Sequence, residues 1–201
     1  MGRRPVAHSR SIYAGPWRID ITDRPGVLRL VPFVALARSI QAALEAAGAP
    51  APASIGLILT DDAELASLNA THMGKNGPTD VLSFPLLAPE AFPAQPGAAG
   101  RIAVSALDFA LPPGRPPHLG DIVVSVERAI DQAEAGRGGQ TGDIRWSPAD
   151  ELRLLVTHGA LHICGWDHAE TAEESAMRAL EQRLLAGYDA VAGQARPRRA
   201  E

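Results

Sequence analysis

Apolar positions fall into short runs of period two, separated by longer stretches of helical spacing. Trp17-Arg18-Ile19-Asp20-Ile21-Thr22 alternates apolar and polar, the pattern of a half-buried strand. After Pro25-Gly26, apolar residues spaced from Val31 to Ala47 predict a helix, stopped by Gly48 and Pro50. Ser54–Leu59 is apolar and β-branched, a second strand. Thr60-Asp61-Asp62 then supplies an N-cap and first-turn acids for a short helix ending near Asn69. Gly74-Lys75-Asn76-Gly77-Pro78-Thr79 is dense in turn formers and leads into Asp80–Pro85, a strand stopped by its proline. Gly120–Ser125 reads as a buried strand, and a helix follows it to about Ala135.

Ser147-Pro148-Ala149-Asp150 opens the next helix: serine caps, proline takes the first position, and aspartate follows in the first turn. Leu152, Leu154, Leu155, Val156, Ala160 and Leu161 run almost all the way around it, which predicts a buried helix. Thr171-x-x-Glu174 is a capping-box pattern for a last helix reaching about Ala186. Few strands and about five helices predict an α+β fold, a small mixed sheet packed against helices. Residues 17–187 form one domain on this reading. Residues 1–16 are expected to be a flexible basic leader and residues 188–201 a disordered basic tail. The Pro-, Ala- and Gly-rich stretch Leu87–His118 is expected to be a long loop or insertion, with a weak strand at Ile102–Ser105.

Composition narrows the function classes. The 201 residues are 46% hydrophobic and 21% charged, ordinary values for a globular chain. The net charge of −4 makes the whole molecule a poor attractor of nucleic acid, so RNA contact requires a local patch. The basic residues are unevenly placed: Met1–Arg38 holds seven Arg against two Asp, and the far end carries Arg196, Arg198 and Arg199; the alternative to a contact patch is solubilising termini, the reading favoured for the tail. The single cysteine, Cys164, excludes an internal disulfide and fits a reducing compartment. It reads as a small buried apolar residue. No apolar run is long enough to span a membrane, and no secretory signal is evident, so the expected location is the cytoplasm.

The chemistry concentrates in His158-Gly159-Ala160-Leu161-His162-Ile163-Cys164-Gly165-Trp166-Asp167-His168. His158 and His162 are four apart, neighbours on one helix face. Gly165 is a helix-ending glycine, after which the chain can swing His168 back toward the other two. Three neutral imidazoles with an open fourth position make a catalytic zinc site. The spacing matches the three histidines and the glycine of H-E-x-x-H-x-x-G-x-x-H, the metzincin signature. Gly159 stands where those proteases carry the glutamate that serves as general base, so the ligand pattern is present without the peptidase base. The alternative is three unrelated histidines on a packed helix. Asp167 can orient a ligand histidine or assist proton transfer, or simply cap the turn.

This stretch resembles the H-G-x-L-H-x-x-G-x-D-H signature of the YbeY family, bacterial ribosomal RNA maturation factors described as metal-dependent endoribonucleases. Leu68-Asn69 with Gly77-Pro78-Thr79-Asp80-Val81-Leu82-Ser83-Phe84-Pro85, and Leu119-Gly120-Asp121-Ile122, resemble two further family segments. The match runs over about Trp17–Leu185. The resemblance implies a central four-stranded sheet and His158, His162 and His168 as ligands of one metal ion. It also implies single-strand-specific cleavage of ribosomal RNA, in late three-prime maturation of the small-subunit RNA and in ribosome quality control. The implied partners are ribosomal RNA and the small subunit, with ribosomal proteins or an assembly GTPase beside them, and neither membrane nor DNA. Imidazole ligands suit Zn2+ and also Ni2+, copper and iron. One departure stands out. Where the family carries an aromatic residue and then an arginine facing the metal cleft, this chain has His72-Met73. Methionine cannot grip a phosphate, which leaves Lys75 as the nearest cation and a candidate for part of that charge. Thr79 and Ser83 could bond RNA, or serve only the turn and strand.

Three functions compete. The first is the metal-dependent endoribonuclease, with His158, Asp167 and Lys75 as candidate catalytic groups. The second is a non-catalytic, metal-stabilised ribosome-assembly factor; a structural site closes with four protein ligands, and none of His8, His72 and His118 is placed as an obvious fourth. The third is a metallopeptidase, which Gly159 argues against.

Overall fold

The computed structural model describes residues 7–96, 116–136 and 146–194, with side chains through Gly187. Its scaffold is one five-stranded mixed sheet in the order β1-β2-β3-β5-β4. The strands are β1 (His8–Ala14), β2 (Trp17–Asp23), β3 (Ala53–Thr60), β4 (Val81–Pro85) and β5 (His118–Ser125). β2, β3 and β5 are parallel neighbours, whereas β1 and β4 run antiparallel along the two edges.

β1 corrects the four-stranded sheet, and at His8–Ala14 it stands as a strand within the stretch 1–16 expected to be a flexible leader. His8–Ala14 pairs residue by residue with β2 through a two-residue turn at Gly15-Pro16, with Ile12 opposite Ile19 and Ala14 opposite Trp17. Its other residues, Tyr13 included, are exposed. Backbone pairing along an edge, rather than an apolar face, holds this strand, so its side-chain pattern gave no strand signal. At the other end of the sheet segment, β5 begins at His118, inside the stretch expected to be insertion. Before it, Pro89–Ala91 forms one 3-10 turn and Phe92 buries itself in the core. The predicted weak strand at Ile102–Ser105 lies outside the described residues.

Five α-helices cover the sheet: α1 (Phe33–Ala46), α2 (Asp62–Leu68), α3 (Val126–Glu134), α4 (Pro148–Ile163) and α5 (Thr171–Gln194). The main core lies on one sheet face, where Ile19, Ile21, Ile55, Leu57, Ile122 and Val124 meet α1 and α4. α4 is central in this layer, touching α1, α3, β4, β5 and α5. A smaller cluster of Leu65, Leu82 and Val123 forms on the other face beneath α2. α2 starts where the acids predict, with Asp61 accepting the amide of Glu64. It ends in a π-turn over Asn69–Met73, closed by Gly74.

α5 differs from expectation at both ends. It begins with Glu170 rather than Thr171 as its cap, and the Glu173 carboxylate accepts the Glu170 amide at 3.3 Å. This bond, one half of a capping box, lies one residue N-terminal of the expected Thr171-Glu174 pair. The helix continues to Gln194, through residues 188–194 that were expected to be disordered tail. Among the described residues, no helix is long and apolar enough to cross a membrane.

Candidate metal centre

The site is built on α4 and the turn that ends it. Ser147 and Asp150 close a full capping box, each side chain accepting the other's backbone amide, with Pro148 in the first turn. This anchors the register of a helix that is buried on most of its circumference. It is not apolar all round, as the sequence suggested. Leu154, His158 and His162, successive residues at i, i+4 and i+8, form a stripe that is only half-buried. The helix ends in a Schellman turn: the Gly165 amide bonds the His162 carbonyl and the Trp166 amide bonds the Leu161 carbonyl, both at 3.0 Å. Gly165 takes φ +80°, a conformation that requires glycine at this position. The reversal carries His168 back over the helix.

The three rings converge. His158 and His162 meet edge to face with centroids 4.4 Å apart, and His168 lies 5.5 Å from His158 and 5.1 Å from His162. One nitrogen from each ring falls within 4.8 Å of the others, so the trio could hold a metal ion. His168 is exposed and opens the cluster to solvent, while the other two are half-buried.

The hydrogen bonds fix what two of those nitrogens present. His162 Nδ1 lies 2.8 Å from the Trp166 carbonyl oxygen, which can only accept, so Nδ1 carries the proton. His158 Nδ1 faces Glu181 Oε1 at 2.7 Å and donates to it in the same way. Both Nε2 lone pairs are then directed inward, and the two Nε2 atoms lie 3.0 Å apart with no proton of their own to share. Two facing lone pairs at that separation repel unless an electrophile stands between or beside them. Tetrahedral zinc with N bonds of about 2.0–2.1 Å spaces its ligand nitrogens roughly 3.3 Å apart, close to what the rings adopt. The donor set fits a metal.

Burial, reinforced by the neighbouring His158 and His168, lowers the His162 pKa to about 4, against the opposing pull of the Trp166 carbonyl and Asp167. The imidazole is therefore neutral at pH 7, the form that binds metals. Cys164 behaves as the small apolar residue the sequence suggested: it is fully buried and burial pushes its thiol up to about 12.

The remaining candidates differ in their surroundings. Asp167 Oδ1 accepts the His168 backbone amide at 2.8 Å, the turn-capping arrangement. Met73 is 45% exposed at the end of the π-turn. Lys75 is exposed in the turn that follows, and among the described residues no hydrogen bond or ion pair joins its side chain to the histidines. His72 packs edge-on to Phe84 at 5.3 Å. Thr79 bonds Asp80, and Ser83 donates to the Gly159 carbonyl, so both hydroxyls serve the fold. His8 pairs with Asp23, and His118 bridges Ser54 and Asp121; neither approaches the trio.

Gly159 has a packing reason. A Cβ there would lie 2.6 Å from Ile122 Cγ2 and 3.1 Å from Val81 Cγ2, because α4 rests directly on the sheet at this point. A glutamate in the protease position would force Ile122 and the strand beneath it to shift. Sequence reading missed Glu181, which is buried on α5. Its signal was a carboxylate on a helix face otherwise occupied by Met177 and Leu180, but its partner His158 lies 23 residues away and no local pattern joins them.

Residues 33–189 match the sequence family described as Endoribonuclease YbeY. The Endoribonuclease YbeY of Moorella thermoacetica is 39% identical over 152 residues, 76% of this chain and 83% of its own. That of Thermobifida fusca is 38% identical over 170 residues, 85% of this chain and 93% of its own. A solution structure from Thermotoga maritima, 18% identical, gives a TM-score of 0.47 over 91% of this chain and 99% of its own. With the matched span covering β3, β4, β5, α4 and the three histidines, this chain belongs to the YbeY endoribonuclease family.

Proposed function

We propose that the protein is a metal-dependent endoribonuclease whose metal is held by His158, His162 and His168. The observation that carries this reading is the pair of inward Nε2 lone pairs 3.0 Å apart, each with its Nδ1 proton committed elsewhere. A bound divalent ion such as Zn2+, or Ni2+ in its place, would polarise a phosphoryl oxygen and lower the pKa of a coordinated water. The family name supports RNA as substrate, and three imidazoles with no fourth protein ligand in the cluster among the described residues leave room for a phosphate.

The chain's own groups then have distinct tasks. The Trp166 carbonyl and Glu181 orient two rings, and His168 closes the set from the solvent side. Asp167 holds the backbone of His168 and so shapes the turn that delivers it. Lys75 supplies positive charge for the RNA backbone where the family arginine is replaced by Met73. The biological substrate on this reading is single-stranded ribosomal RNA at the small-subunit three-prime end, processed in the cytoplasm with the small subunit as partner, in maturation and in quality control.

The test is cleavage of short single-stranded and duplex RNAs by purified protein loaded with zinc. Cleavage of the single strand, abolished by EDTA and by His158→Ala and restored to the wild type by zinc, is the expected result. Full cleavage by the His158→Ala, His162→Ala double variant would remove the metal centre from the reaction. Metal binding without any cleavage would favour the assembly-factor role.

A further inference from the structure

Glu181 sits on α5, remote in sequence from the histidines, with its side chain only 11% exposed. A carboxylate so placed is costly unless hydrogen-bonded, and among the described residues its bond is to His158 Nδ1 at 2.7 Å. Met177 and Leu180 on the same helix face are packed into the core. An apolar residue at 181 would continue that face, so core packing alone gives no reason for a charge there.

We propose that Glu181 is the positioning residue of the metal centre. Its carboxylate locks His158 in the Nδ1–H tautomer, holds the ring so that Nε2 faces His162 and His168, and makes that nitrogen a stronger donor. This inference rests on reading the three histidines as metal ligands. It also separates the supports of the two α4 histidines. His162 is oriented by the Trp166 backbone carbonyl, which the turn at Gly165 presents whatever side chain stands at 166. His158 depends on one side chain from another helix, so metal affinity depends on how α5 docks against α4.

Three variants and one spectrum decide it. Glu181→Gln retains an acceptor but not the charge, Glu181→Leu retains bulk and core packing but neither, and Glu181→Ala removes all three. Zinc affinity, measured by competition with a chelating indicator, should fall roughly 10- to 100-fold in the Leu variant and less in the Gln variant. Thermal melting without metal should place the Leu variant at or above the wild type, a pattern that a merely structural role would not give. In the metal-free wild type at about pH 8, imidazole nitrogen chemical shifts should report His158 as the Nδ1–H tautomer, and the Leu variant should show a mixture. Wild-type affinity in both the Gln and Leu variants, or a wild-type His158 protonated on Nε2, would overturn the proposal. The tautomer is read without metal. If zinc instead fails to bind the wild type, the metal reading fails, while the spectrum still shows whether Glu181 sets the ring.

Discussion

Gly159 and Ile122 pack so closely that a single added carbon on the glycine would stand 2.6 Å from the isoleucine Cγ2. The residue between the two ends of the first histidine turn is thus fixed by the sheet beneath it. Gly159→Ala should destabilise the fold by about 1–3 kcal/mol, as overpacking does in a dense core, read as a lower urea midpoint with unchanged slope. Gly159→Glu should not create a peptidase, because the carboxylate would have to displace β5. Neither wild type nor variant should cleave casein-like substrates, and a cleavage that disappears with His158→Ala would overturn that assignment.

Removing ligands should have graded effects. His158→Ala and His162→Ala each take away a ring already oriented by a partner, at 2.7 and 2.8 Å respectively. Each should abolish tight zinc binding and RNA cleavage. His168 is exposed and carried by a turn, so His168→Ala should weaken zinc binding while leaving the unliganded melting temperature near the wild-type value. Calorimetric titration with zinc alongside thermal melting checks both parts.

The Met73 departure predicts a weak phosphate grip. Lys75→Ala should weaken single-stranded RNA binding and flatten its salt dependence by about one phosphate contact. Met73→Arg should raise cleavage, since the guanidinium supplies a bidentate fork that lysine lacks. Binding measured at two salt concentrations tests the first. An unchanged salt slope in Lys75→Ala would move the compensating charge elsewhere.

Acid should loosen the attachment of α2 to the sheet. The Glu64 pKa is lowered by its hydrogen bonds to Arg24, opposed by burial and assisted by Thr60. A depressed carboxylate contributes stability that is complete above its unfolded value of about 4.3 and is lost as pH falls through the lower folded value. Glu64→Gln should therefore cost stability at neutral pH, and the difference from wild type should shrink below about pH 4. Urea unfolding across that range measures it. A difference constant with pH would show that the ion pair does not carry the effect.

Much of this protein was written in local pattern. The alternation in Trp17–Thr22, the caps at Asp61 and Ser147, and the i, i+4 histidines ended by Gly165 each act within a few residues, so propensity and spacing determine them. The three sequence-predicted ligands are brought together because a helix and its end-turn are local objects. What lies beyond that range was decided by the assembled fold. β1 has few buried side chains and becomes a strand because β2 offers it a backbone edge. At the start of α5 the side chain that bonds back to the backbone is Glu173, on the Glu170 amide, one residue before the expected pair. Gly159 is explained by contact with β5, and His158 by a carboxylate 23 positions away. These are contacts between elements, and periodicity along one element carries no information about which other element it will meet.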